Sequence, residues 1–149
     1  VENEPRTIEP TPVGAVVLGE REAFPSPLLT AVDVSEPVVS GDLLTLDPSS
    51  PGRFRRTREW ADSGVVGIIA GDSFVADGRM RAHLATTGIH VAHAEALRTA
   101  IGVGDLLVAS SLAGHVAKAG EAKAGTVVGK ALDPLPSGTG SIRILVMLR

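Results

Sequence analysis

Four histidines, a serine pair close to one of them, two aspartates in matching contexts and a run of arginines are the residues of this sequence whose types and spacing could do chemistry. His90 and His93 have an H-x-x-H spacing that suits a divalent metal if they share a helical turn; on a strand, three residues apart, they face opposite ways. His83 and His115 have no carboxylate close in sequence and read as surface or interface residues. Ser110, Ser111 and His115, with Asp105 upstream, place hydroxyls near an imidazole and could be written as a nucleophile and its base. Ser49 and Ser50 hold the matching place earlier in the chain with no histidine after them, so the serine pair is assigned to a turn; there is no G-x-S-x-G elbow. Asp42 and Asp105 could form an acid-base dyad, yet each follows a glycine, and a Gly-Asp turn accounts for both.

No P-loop occurs, and Gly102-Val103-Gly104 lacks the third glycine of a dinucleotide fingerprint. No catalytic residue, cofactor or metal ligand is therefore assigned, and the non-enzymatic reading is preferred over the enzymatic one. Arg53, Arg55, Arg56 and Arg58, with Phe54 and Trp60 nearby, could bind nucleic acid or another polyanion. With a formal charge of -3 and a pI near 5.8, the chain offers no general attraction for nucleic acid or an anionic membrane. A solvated hairpin, or a charged contact with the acidic start of a neighbouring copy, is the preferred role for the arginines.

The elements that must position these residues are legible in outline. The chain has 149 residues, enough for one sizeable core, and is 44% hydrophobic but only 3% aromatic, with no Tyr. Its core must therefore be Val, Leu, Ile and Ala. Seventeen Gly and ten Pro place reversals every few residues and predict an all-β chain of short strands. The absence of Cys rules out disulfides, thiolate zinc sites and cysteine nucleophiles. No apolar run approaches the length of a spanning helix, and the start has no charged-then-apolar signal pattern. Residues 1–12 are acidic and punctuated by Pro5, Pro10 and Pro12, which predicts an extended arm or linker, and residues 13–149 one β-rich domain.

Within that domain the chain repeats itself. Gly41-Asp42-Leu43-Leu44 leads through a Ser/Pro/Gly turn to Val65-Val66-Gly67, and Gly104-Asp105-Leu106-Leu107 leads through another to Val127-Val128-Gly129. The Gly-Asp pairs lie 63 positions apart (41 to 104) and the triplets 62 (65 to 127), so one residue of slippage aligns the two copies, about 41–70 and 104–132. Gly41, Asp42, Gly67, Gly104, Asp105 and Gly129 are read as structural turn residues. Two such strand-turn-strand units, related by a pseudo-twofold, predict a small barrel or sandwich. Further strands are expected at Val13–Leu18, Leu28–Val34, Met80–Thr86, Gly88–Ala92 and Gly140–Arg149, with a loop over Gly71–Gly78. Ala92–Ala100 combines helix-forming composition with marginal length and is open between strand and a short helical turn.

The ordered set Gly41–Pro48, Gly64–Ile69, Ile101–Leu107, Gly114–Ala119, Val128–Leu132 and Ser137–Val146 resembles a C-terminal domain of bacterial tail-fibre-like and surface-exposed proteins. It is also distantly similar to the self-cleaving intramolecular-chaperone domains of phage tail appendages. The resemblance covers roughly Val34 to Arg149. It implies a structural assembly or oligomerisation module of an extracellular, cell-surface or phage-tail-like fibre or particle. Its partners would be copies of itself, a trimer above all, and other fibre or particle subunits. The alternatives are a self-cleaving chaperone domain, onto whose activity no serine/aspartate dyad maps here, and a carbohydrate- or polyanion-binding module.

Overall fold

Each short apolar stretch between glycines and prolines is extended, and strands are the regular elements of the computed structural model, which describes residues 29–149. In chain order they are β1 (Leu29–Val34), β2 (Leu43–Leu46), β3 (Arg53–Arg56), β4 (Val65–Ile69), β5 (Phe74–Ala76), β6 (Arg79–Ala85), β7 (Thr87–Ala96), β8 (Leu106–Ala109), β9 (Val116–Lys118), β10 (Val127–Ala131) and β11 (Gly138–Met147). The arm expected over 1–12 and the strand expected at Val13–Leu18 lie outside the described residues.

The all-β architecture is a pair of small closed barrels with one connectivity. β1 runs parallel to β3, β3 pairs antiparallel with β2, β2 with β4, β4 with β6, and β6 returns to β1. The second unit repeats this order: β7 parallel to β9, then β8, β10 and β11 antiparallel, with β11 back against β7. Each Gly-Asp unit has thus recruited a strand on either side and closed on itself, which leaves few free sheet edges. The repeat runs beyond the two matching cores, from β1 to β6 and from β7 to β11.

Two local readings change, and one that the sequence leaves open is decided. The stretch between the first turn and Val-Val-Gly is not a single reversal, because the arginine run forms β3 and Val116–Lys118 its counterpart β9. The loop expected over Gly71–Gly78 contains β5, tied to β6 by a tight reversal at Asp77 (φ 54°) and Gly78 (φ 74°), dihedrals suited to a two-residue hairpin. Ala92–Ala96 belongs to strand β7, which pairs with β11 along its whole length from Thr87↔Met147 to Ala96↔Gly138. That ladder outweighs the helix propensity of alanine, and Ala92, Ala94 and Ala96 alternate inward where the barrel has room only for small side chains.

The repeated motifs are the pinch points of each barrel. In Val-Val-Gly the middle valine is an extra residue: Leu44 and Thr45 face Gly67 and Val65, and Leu107 and Val108 face Gly129 and Val127, so Val66 and Val128 are bulged. The glycine that follows lets the closing strand come close. A Cβ on Gly67 would lie 2.3 Å from the carbonyl oxygen of Ala85, and one on Gly129 2.0 Å from that of Leu145. Gly-Asp ends a tight turn in both copies. The Asp42 and Asp105 amides donate to the carbonyls of Val39 and Gly102, and their carboxylates accept from the amides of the same two residues at 2.9 and 2.7 Å. Gly41 (φ 97°) and Gly104 (φ 90°) supply the left-handed step these turns need.

The two cores are joined. Leu44 and Ile69 point into the first barrel with Val34, Val38, Ala82 and Leu84. Their neighbours Leu43 and Ile68 point the other way and are packed with Leu107, Val116, Ile142 and Ile144 of the second unit. β2 is therefore buried on both faces, which explains its continuously apolar start.

One ionisable group ties the first barrel's connections together. Asp47, just after β2, accepts hydrogen bonds from the Ser35 hydroxyl at 2.6 Å and from the Ser49 hydroxyl and amide at 2.7 and 2.9 Å. These bonds, with help from Arg55, hold its carboxyl down at about 2 against an ordinary 3.8. Because the folded value lies below the unfolded one, the contribution is complete above pH 4 and is lost as pH falls toward 2. Asp47→Asn is expected to flatten the fall of the urea midpoint between pH 4 and pH 2; an unchanged slope would assign it to other carboxylates.

Candidate functional site

The seam between the barrels is where side chains from distant parts of the sequence meet. It is zipped by backbone bonds: Leu43 N–H to Gly114 O, Gly114 N–H to Thr57 O and His93 N–H to Gly41 O, each 2.9 Å, and Ala61 N–H to Ala109 O at 2.8 Å. Thr57 is fully buried there and its hydroxyl has no hydrogen-bond partner, a cost the seam carries in exchange for the two bonds its backbone makes.

Asp42 is the polar centre of this seam. It is only 4% exposed, and its second carboxylate oxygen accepts from His93 Nδ1 at 2.9 Å, so one side chain closes its own turn and clamps β7 of the other barrel. Gly114 makes room for it, since a Cβ there would meet Asp42 Oδ1 at 2.7 Å. The His115 ring lies 5.4 Å from that of His93, centroid to centroid, and its Nδ1 donates to the Ala113 carbonyl. Asp105, the counterpart of Asp42, has no imidazole partner; Lys118 Nζ lies 3.6 Å from it. The two aspartates thus serve different partners.

The other sequence candidates are placed as follows. His90 donates to the Thr87 carbonyl, away from the Asp42–His93 pair, and among the described residues no group of three or more His, Cys, Asp or Glu could hold a metal ion. Ser110 is fully buried; its hydroxyl donates to Glu95 Oε2 at 2.5 Å and accepts from the Leu112 amide at 2.9 Å, an arrangement that shapes the turn after β8. Ser111 is exposed. Of the arginines, Arg56 and Arg58 both bind Glu36, and Arg55 reaches Asp47 at 3.9 Å. Burial pushes Glu36 up, but hydrogen bonds from Arg56 and Arg58 outweigh it and hold its carboxyl below the ordinary value. Arg53 stands exposed at the start of β3.

Sequence reasoning missed a pocket on the same seam. It has a volume of about 250 Å³ and is lined by Trp60 of the β3–β4 connection and, from the second unit, by Glu95, Arg98, Thr99, Lys118 and Gly120 among others. The Arg98 guanidinium carbon sits 5.2 Å from the centre of the Trp60 ring. The one available signal was that Trp60 is the sole tryptophan of an aromatic-poor chain.

Fold and seam together define a tandem of two five-stranded β-barrels clamped by a part-buried Asp–His contact. No protein-family model matches the chain, and no curated protein matches it. Among the described residues no helix is long and apolar enough to cross a membrane.

Proposed function

We propose that this chain is a structural assembly module that self-associates, a trimer above all, within an extracellular or phage-tail-like fibre or particle. The observation that carries the proposal is an apolar row on the outside of the second barrel. Ile89 (62% exposed) lies directly opposite Leu145 (37%), and Val91 (53%) follows Ile89 on the same face. β-Branched and leucine side chains on the solvent side of the longest strand pair gain nothing in a lone domain and gain burial at an interface. One flank of the row is internally neutralised, since Arg143 binds Asp133 at 2.7 Å, and on the other the exposed Lys130 of β10 lies opposite Leu145. An apolar row beside a single lysine suits a second copy of an acidic chain, because it brings apolar surfaces together and lets Lys130 face a carboxylate of that copy. The order of tail-fibre-like motifs along Val34 to Arg149 points the same way.

The test is absolute mass by light scattering coupled to size exclusion over about a tenfold range of concentration. A constant mass of several chains is expected, falling to one chain on Ile89→Lys with Leu145→Lys, two exposed positions whose change leaves the barrel interior untouched. A single-chain mass for the unaltered protein at every concentration would overturn the proposal.

A further inference from the structure

From the seam pocket we infer a second role, separate from self-association: it binds one acidic sugar unit, a hexuronate residue of an anionic polysaccharide. The volume, about 250 Å³, suits a single pyranose ring, with the rest of a longer sugar chain left outside in solvent. The walls divide into three chemistries that such a ring combines. Trp60 is 41% exposed and, beside the Arg98 guanidinium that covers part of its ring, offers its remaining aromatic surface to the C–H face of a sugar. Arg98, set over that ring, is a cation with no carboxylate partner among the described residues, and its planar fork matches a carboxylate in two-pronged fashion. Glu95 supplies the acceptor side. One of its oxygens takes the Leu97 amide at 2.9 Å and the other takes Ser110, which fixes the carboxylate while leaving lone pairs for sugar hydroxyls.

The charges set the orientation. Glu95 repels an anion, so the sugar carboxylate goes to Arg98 and the hydroxyl edge to Glu95 and Thr99. Lys118 strengthens the cationic side, although Asp105 at 3.6 Å offsets part of its charge. With Lys118 paired to Asp105, Arg98 is the pocket's cation with no carboxylate partner among the described residues, so the carboxylate of an acidic ligand is held there by a direct contact. A plain inorganic anion would use Arg98 but not the aromatic surface, and a neutral sugar would use the aromatic surface but not Arg98.

The chain provides its own probe, because Trp60 is its only tryptophan and it has no tyrosine. Titrating the full chain with a uronic-acid disaccharide should give a saturable change in tryptophan emission. The response should be about tenfold weaker in affinity or more with the matching neutral disaccharide, and likewise with sulfate at equal ionic strength. Arg98→Ala should weaken acidic-sugar binding by about tenfold or more, as loss of a charge-assisted bond does, while leaving thermal stability unchanged. Calorimetry on Trp60→Ala, which removes the optical probe, should show the same loss. No saturable response in the millimolar range, an equal response to sulfate, or equal affinity for the neutral sugar would each overturn the inference. These outcomes are independent of the oligomeric state.

Discussion

Gly129→Ala is expected to lower the melting temperature by about 10 °C, a loss of about 3 kcal/mol, the upper end of what overpacking of a tight site costs. The added methyl would sit 2.0 Å from the Leu145 carbonyl oxygen and 3.0 Å from its carbon, inside contact distance of a backbone that cannot move aside. Leu145 is held from both sides, by Lys130 of β10 and by Ile89 of β7, so yielding at this point would open the barrel along β11. Gly67→Ala should behave alike for the same reason in the first barrel, with the Ala85 carbonyl oxygen 2.3 Å from the new carbon and a φ of 149° adding backbone strain. Gly120→Ala is the control: nothing lies within 4 Å of a Cβ there, and its stability should stay within about 0.5 kcal/mol of the parent. Thermal melts of the three variants decide the matter. If Gly129→Ala and Gly120→Ala melted together, the close approach would not be what the triplet is for.

The same glycines show what in this fold could be read from sequence. Gly-Asp and Val-Val-Gly stand out because each meets a demand that only its residue types meet: a left-handed step with a carboxylate returning to the turn, and a bulge pressed against a carbonyl. Side chains of the flanking strands meet a far looser demand. Leu29–Val34 and Thr87–Ala96 occupy the same place in their barrels, yet all that the place requires is an inward apolar residue at every second position. The alternating Ala92, Ala94 and Ala96 carried that signal, against a composition that spoke for helix. β3 and β9 are harder still, because Arg53–Arg56 reads as a charged loop until Glu36 and Asp47 are seen to neutralise its members. The seam was out of reach. Asp42 and His93 are 51 residues apart, and nothing near either names the other. Trp60 and Arg98 likewise meet only because the Ala61 amide is bonded to β8 of the other barrel.

Replacing Asp42 with alanine should therefore cost far more than the same change at Asp105, although the two are equivalent in the repeat. At Asp105 the change removes one bond to the Gly102 amide and a loose contact with Lys118 at a partly exposed turn, worth about 1 kcal/mol. At Asp42 it removes the matching bond to the Val39 amide and also takes from His93 Nδ1 its carboxylate partner at a part-buried seam, for about 2 to 3 kcal/mol in all. Asp42→Asn should fall between, since its amide oxygen can still accept from Val39 while its nitrogen faces the imidazole. Urea unfolding of Asp42→Ala, His93→Ala and the double variant isolates the link, and a coupling of about 1 kcal/mol or more is expected. Equal losses at Asp42 and Asp105, or no coupling to His93, would mean that the barrels are held together by Leu43, Ile68 and the backbone bonds alone. A measured coupling would instead make this pair the point where one copy of the repeat took on a task the other lacks. The duplicated turn would then keep its shape in both barrels, with the spare carboxylate oxygen of only one of them used to lock the tandem.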